Sequence, residues 1–326
     1  MDDQNITLEG VDEGQDIFAD STDELQKTSE KTEVDKNEHK MSFSGEALSE
    51  QELYSLSARK DTRIIYILGS VGSGKTTFET MLYESFFSNK DEELLFAGSE
   101  TLLGYEKRLY YLRVESGSSN PKMERTSVKD NHCFLHLNVF NSKRKEEQSI
   151  VFTDISGEIF ESCISKKLEM EEKLAYLDMA HNIVLFMDGE KLIDHSQRQS
   201  VVNNIKLFLK TFRTSSLYHN NCRIDLVISK NDIIFDYLKN HTDTFIEKLE
   251  EKFEAFKEDF DIHFIRIEAM NGSDLLDKEI SIPLIDVLKY WLERDEQRMD
   301  SSLWNKEQII YKNEFNRFGA MYGYGN

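Results

Sequence analysis

The sequence predicts an α/β fold, a mostly parallel six-stranded sheet with one antiparallel strand, the second, between layers of helices. Three observations predict it. From residue 62 onward, β-rich runs alternate with amphipathic segments. The apolar run Ile64-Ile65-Tyr66-Ile67-Leu68 feeds a glycine-rich turn, "GSVGSGKT", and then the helical pattern "TTFETMLYESFF". Between "CFLHLNVF" and "SIVFTDI" stand only eight residues, "NSKRKEEQ". A parallel crossover takes roughly a dozen or more residues, so these two strands form an antiparallel hairpin.

The expected strands cover 63–69, 133–140, 149–154, 182–188, 223–229 and 262–268. Helices are expected over 75–88, where Phe78, Met81, Leu82, Ser85 and Phe86 share a face, and over 100–113, 165–179, 196–213, 232–258 and 282–294. In the long 232–258 segment Phe245, Ile246, Leu249, Phe253, Phe256 and Phe260 fall on one side, a stripe suited to packing on the sheet. The hairpin tip holds Lys143, Arg144 and Lys145, followed at once by Glu146 and Glu147, so it reads as a solvated loop.

Charge and composition narrow the possible partners. The 326 residues carry a net charge of -21, which argues against a nucleic-acid backbone or an anionic membrane as the main partner. Residues 1–60 hold sixteen acidic against six basic residues, and with their low hydrophobicity they predict an acidic, disordered leader. A folded domain is expected over 61–295, with an inserted helical segment at 98–114, and a Gly/Tyr-rich tail over 296–326. No apolar run approaches the roughly 20 residues that span a bilayer. The start of the chain is acidic, unlike a signal peptide. Cys133, Cys163 and Cys222 are widely spaced without metal-site spacing, the usage of reduced thiols in a cytoplasmic protein.

Gly69, Gly74, Lys75 and Thr76 fit the phosphate-binding pattern GxxxxGK followed by Ser or Thr. Glycines let successive N–H groups turn inward, so Gly69, Gly72, Ser73, Gly74 and Thr77 are candidate phosphate contacts. Lys75 would reach the β- and γ-phosphates, and the Thr76 hydroxyl would complete a magnesium shell. The helix that follows aims its N-terminus at the same phosphates. Further along, "VFTDISGE" ends a strand with Asp154 and Gly157, a DxxG pattern. Asp154 would hold magnesium through a water, and the Gly157 N–H would reach a γ-phosphate oxygen. "LVISKND" ends another strand with Ser229, Lys230 and Asp232, close to Asn/Thr-Lys-x-Asp. Asp232 can accept both guanine N1–H and N2–H, a donor pair that adenine lacks, while the Lys230 stem lies along the base. The N–H of Ala269, after the last strand, would meet guanine O6.

Residues 62–295, with these four motifs and the hairpin before DxxG, resemble the P-loop GTPases of the translation-factor and Ras-like (TRAFAC) class. Within it "GSETLLGYEKRLYYLR", through Ser99, Thr101, Gly104 and Arg108, resembles the extra segment of the double-GTPase proteins of bacterial conflict systems. The resemblance implies a P-loop NTPase three-layer sandwich, bound GTP or GDP with Mg, and a switch that works on a protein effector or a second GTPase. It carries no signal of oligomeric state. Thr126, before the hairpin, is the candidate switch threonine, ligating magnesium and serving catalysis, with Ser127 its substitute and Arg125 comparable to an arginine supplied in cis. Arg108 reads as a salt-bridge partner of the inserted helix.

Three departures qualify the expectation. Ser229 replaces Asn or Thr, leaving a shorter side chain to tie the base loop to the P-loop. Glu158 stands where many relatives place the water-orienting glutamine, which predicts slow turnover. Val71 occupies a position that is often glycine and would obstruct an arginine from outside. The leading reading is therefore a GTP-binding switch with slow Mg-dependent hydrolysis, moving its 115–130 and 155–170 loops. The alternatives are a non-hydrolysing nucleotide-binding module and an ATPase or nucleotide kinase. His132 and His136 alternate along a strand and read as packing residues.

Overall fold

The computed structural model describes residues 45–88, 93–112, 133–219, 223–269 and 283–293. Its strands are β1 (Thr62–Gly69), β2 (Leu94–Gly98), β3 (Cys133–Asn141), β4 (Glu146–Asp154), β5 (Asn182–Asp188), β6 (Arg223–Ser229) and β7 (Asp261–Arg266). They form one seven-stranded sheet in the order β2-β3-β4-β1-β5-β6-β7. β3 is antiparallel to both β2 and β4, and the pairings from β4 through β7 are parallel. The expected hairpin is therefore present, with Lys145 in a left-handed conformation at its tip.

The sheet has seven strands where six were expected, and the antiparallel one is third in chain order. The extra strand, β2, is only five residues long and lies at the sheet edge, with an irregularity between Phe96 and Gly98. Only Leu94 of β2 is fully buried, so its apolar signal is weak.

Successive side chains of β1 point to opposite faces, which divides the core in two. Ile65 and Ile67 pack with Phe78 and Leu82 of α2 (Lys75–Ser88), Tyr105 and Leu109 of α3 (Leu102–Leu112), and Trp291 of α10 (Leu284–Glu293). Tyr66 and Leu68 pack on the other face with α4 (Gly157–Cys163), α5 (Lys167–Lys173), α7 (Arg198–Thr214) and α8 (Asn231–Asn240). The result is helix, sheet, helix in three layers.

Several helix boundaries differ from expectation for local reasons. The single helix expected over 232–258 is α8, then α9 (Thr244–Glu247), then a 3-10 segment, Glu250–Phe256. His241 is extended, and the Asp243 carboxylate accepts the Phe245 N–H at 2.9 Å, starting a new helix instead of continuing the old one. Phe253 and Phe260 remain buried against the sheet as the stripe requires. The helix expected over 165–179 is α5 followed by a 3-10 turn, Ala175–Met179. Ahead of it α4 occupies part of the 155–170 stretch read as a loop, with the Ser156 side chain capping its first turn. α6 (Gly189–Ile193) follows β5 directly.

Residues 45–60 fall inside the span assigned to the acidic leader, yet they carry structure. Ser49 and Glu52 form a reciprocal capping box on α1 (Glu50–Ser57), and Leu48 bridges to Phe134 of β3. Leu48, Leu53 and Leu56 bury Phe134 and Val151. Residues 1–44 and 294–326, with most of the leader and tail, lie outside the described residues, as does Cys222. Cys133 and Cys163 form no disulfide among the described residues, and no described helix is long and apolar enough to cross a membrane.

His136 joins β3 to the start of the inserted segment. Its Nδ1 accepts the Glu100 N–H at 2.9 Å, which leaves the proton on Nε2, facing Asn138 and Ser149. Burial lowers its pKa from 6.5 to about 4. The ring is thus neutral in the fold and charged in the unfolded chain between those values, so its contribution is complete above pH 6.5 and is lost as pH falls towards 4. Urea unfolding at pH 7 and pH 5 should show the wild type losing about 2 kcal/mol more than His136→Gln. Equal losses would contradict this role.

Candidate functional site

The site lies at the carboxyl ends of β4, β1, β5 and β6, adjacent parallel strands whose following turns all emerge at the same end of the sheet. After β1 the chain turns through Gly69, Gly72 and Gly74, with φ of 155°, 77° and 90°. Gly69 is also required by space, because a Cβ there would come within 2.9 Å of the Phe186 carbonyl oxygen on β5. Lys75 opens α2, and its Nζ donates to the Gly69 and Ser70 carbonyls at 2.7 and 3.3 Å. Burial lowers its pKa to about 8, against the pull of Glu79, Asp154, Glu158 and Glu161, so the ammonium stays largely charged at neutral pH. The Ser73 hydroxyl is buried inside the turn with no hydrogen-bond partner among the described residues. Thr76 and Thr77 follow in the first turn of α2.

At the end of β4, Asp154 is buried, and the Arg108 guanidinium of α3 forms an ion pair with it. Arg108 is thus the salt-bridge residue that the sequence suggested, and its partner is the DxxG aspartate itself. The Ser99 hydroxyl donates to the His136 carbonyl at 2.6 Å, and Thr101 Oγ1 accepts the His136 N–H at 2.9 Å. These bonds fix the start of α3 and so the position of Arg108.

Gly157 lies directly on the P-loop. A Cβ at Gly157 would stand 2.4 Å from the Val71 nitrogen and 2.6 Å from its Cα. Val71 is held further by Glu161 of α4, which accepts its N–H at 3.2 Å, and by Lys191 of α6, which donates to its carbonyl at 3.2 Å. Sequence reasoning passed over Glu161 and Lys191, since neither belongs to a motif. Their only signal is position, four residues after Gly157 and three after the end of β5. Glu158 sits in the first turn of α4, half-buried, and acts electrostatically on Lys75.

On the base side, Ser229 is buried beside Gly74, whose Cβ would lie 3.5 Å from that of Ser229. Its hydroxyl donates to the Met187 carbonyl at 3.3 Å, so the short side chain ties the loop to β5. Lys230 has a left-handed backbone, φ 52°, and its Nζ bonds Asp188 at 3.0 Å and Glu190 at 2.9 Å. Those two carboxylates were a second omission, legible only as an Asp-Gly-Glu strand end. Gly189 between them admits no side chain, since a Cβ would lie 2.3 Å from the Ser229 carbonyl. Asp232 stands in the first turn of α8. The Asn231 N–H donates to the Ile267 carbonyl at 3.1 Å, which brings the Ala269 segment beside the Lys230–Asp232 turn. Arg125, Thr126, Ser127 and His132 lie outside the described residues.

A family model described as Double-GTPase 2 matches residues 63–292, well over half of the chain. The chain belongs to the Double-GTPase 2 family. As a Double-GTPase 2 member it is a GTP-binding protein, and the expected P-loop GTPase relationship holds. A search of curated proteins returned no match. Among solved structures, it is similar to a bacterial selenocysteine-specific elongation factor, EF-Sec, at 14% identity and a TM-score of 0.33, over 71% of this chain and 28% of that one. It is also similar to the S. cerevisiae Ski7 GTPase-like domain, bound to GDP and inorganic phosphate, at 16% identity and a TM-score of 0.42, over 75% and 52% of the two chains. A third is the signal recognition particle receptor SRb-GTP/SRX complex of Chaetomium thermophilum, at 12% identity and a TM-score of 0.36, over 67% and 95%. The chain thus spans about half or less of the first two.

The contact at Gly157 gives a direct test. Gly157→Ala forces α4 away from Val71 and should cost about 1–3 kcal/mol of stability, the range for overpacking a close contact. Chemical denaturation would measure it, and a midpoint equal to wild type would show that α4 does not press on the P-loop.

Proposed function

We propose that this chain is a nucleotide-dependent switch that binds GTP with magnesium, hydrolyses it slowly and acts on a protein partner, either an effector or a second GTPase. The observation that carries the reading is the convergence of Lys75, Asp154, Ser229 and Lys230 at the carboxyl ends of three parallel strands of one sheet, β1, β4 and β6. Open α/β sheets bind ligands at such strand ends. Support for a phosphate group comes from the inward Lys75, the glycine turn and the buried Ser73 hydroxyl, which has no partner among the described residues. These residues fit a nucleoside triphosphate.

Thr76 and Asp154 would hold magnesium, with Thr126 as the switch-loop ligand, and the metal would neutralise charge on the β- and γ-phosphate oxygens. Gly69, Gly72, Ser73, Gly74 and Thr77 would surround the phosphates, and the Gly157 N–H would meet the γ-phosphate. Asp232 would accept the two guanine donors, with Lys230 held along the base by Asp188 and Glu190, and Ala269 would face O6. Glu158 would orient the attacking water. Its carboxylate adds negative charge beside a γ-phosphate, which favours a slow rate.

Lys75→Ala should weaken GTP binding about ten- to a hundredfold, the worth of one hydrogen bond to a charged group. Calorimetry on the folded variant checks this, and unchanged affinity would remove the P-loop from the account. Asp232→Asn should shift preference from GTP towards XTP, because an amide can donate to the extra xanthine carbonyl; competition binding measures it, and unaltered preference would dismiss Asp232 as the base reader. Glu158→Ala should slow single-turnover hydrolysis while GTP affinity stays within a few-fold, because the contact is made chiefly in the transition state. A non-hydrolysing binding module is the second reading, favoured by the charge of Glu158. Retention of unhydrolysed GTP for many hours with magnesium and candidate partners present would establish that reading instead.

A further inference from the structure

Glu79 is a buried acid with no part in the phosphate seat. It lies one helical turn beyond Lys75 on α2, is 1% exposed, and its Oε2 has no hydrogen-bond partner among the described residues. Buried carboxylates are ordinarily paired, and an unpaired oxygen is costly in a low-dielectric interior. Its electrostatic neighbours are Asp154, Arg108 and Lys75, so two acids and two bases from three elements influence one another beside the P-loop. The Tyr105 hydroxyl, also buried and without a hydrogen-bond partner among the described residues, belongs to the same cluster.

Arg108 is the one charged member of this cluster, among the described residues, that comes from the inserted segment. Through Nη1 it donates to the Gly104 carbonyl at 3.0 Å, and through Nη2 to Asp154. A guanidinium carries five N–H donors in a rigid fork, so these two bonds leave donors over for a further acceptor. The Asp154 carboxylate is also the group assigned above to magnesium. A divalent cation and a guanidinium compete for one carboxylate, and in a buried site their mutual repulsion is weakly screened. Glu79 supplies a second acid within electrostatic reach of the same guanidinium; burial pushes its pKa well up, and the positive charges of Arg108 and Lys75 pull it back down. Because Ser99 and Thr101 anchor the start of α3 to the His136 backbone, an exchange of partner would fall to rotation of the Arg108 side chain with its helix in place.

We infer that Arg108 is a magnesium-responsive positioning residue that holds Asp154 in the metal-free protein and transfers to Glu79 Oε2 when magnesium and nucleotide engage Asp154. The inference rests on the GTP and magnesium reading above. It makes Arg108 a competitor of the metal and Glu79 the receiver that lets the metal win.

The test uses full-length protein loaded with mant-GDP. Magnesium is titrated, and the rate of mant-GDP release gives the concentration that half-suppresses release. Arg108→Gln should lower that midpoint about tenfold by removing the competing charge. Glu79→Gln should raise it several-fold, since the released guanidinium loses its second carboxylate, and it should change the midpoint by less than about twofold when added to Arg108→Gln. A midpoint that is unchanged or raised in Arg108→Gln, or a Glu79 effect independent of residue 108, overturns the exchange and leaves Arg108 a static support. Should Arg108→Gln fail to fold, Arg108→Met takes its place in the same double-mutant cycle, with the same supporting and overturning outcomes. Failure of wild-type protein to bind mant-GDP with or without magnesium would remove the nucleotide reading and the exchange together, an outcome distinct from normal binding with unmoved midpoints.

Discussion

The contact of Gly157 with the Val71 backbone is the constraint on which the site depends. Two strand-end turns, one after β1 and one after β4, meet there with no room for a single carbon between them. Parallel pairing of β1 with β4 sets the two turns side by side, and the missing side chain lets them touch. Glu161 and Lys191 then hold the same peptide unit from α4 and α6. Any displacement of the segment after Asp154 therefore reaches the phosphate loop through one residue. Such direct coupling is what a nucleotide-sensitive switch requires.

Charge organises the rest of the site. Each buried or half-buried cation has a defined partner: Lys75 takes backbone carbonyls, Arg108 takes Asp154, and Lys230 takes Asp188 and Glu190. These contacts orient long side chains that would otherwise lose considerable rotamer freedom on ligand binding. The inserted helix α3 takes part in this arrangement, because the bonds from Ser99 and Thr101 to His136 aim Arg108 at the end of β4.

Most of the sheet was legible because strand ends coincide with motifs that have fixed chemistry. The glycine turn, Asp154 with Gly157, and Ser229 with Lys230 each mark a strand end and a site residue together. The eight-residue hairpin gap was equally informative, since its length forbids a crossover. What remained hidden had weak local signals. β2 is a five-residue edge strand with one fully buried apolar side chain, and α1 lies in acidic sequence whose burial depends on Leu48, Leu53 and Leu56 meeting Phe134 and Val151. The break between α8 and α9 turns on one Asp243 cap inside an otherwise helical pattern. Glu161 and Lys191 act through tertiary contacts that no spacing rule encodes.

The central claim is that the P-loop and the Lys230–Asp232 turn together hold a guanine nucleotide. Displacement of mant-GDP from the wild-type protein by GTP, and separately by ATP, with magnesium present, tests it most directly. GTP should displace the probe at concentrations at least about a hundredfold below those needed for ATP, since adenine lacks the donor pair that Asp232 would accept. Equal displacement by the two nucleotides would contradict the account.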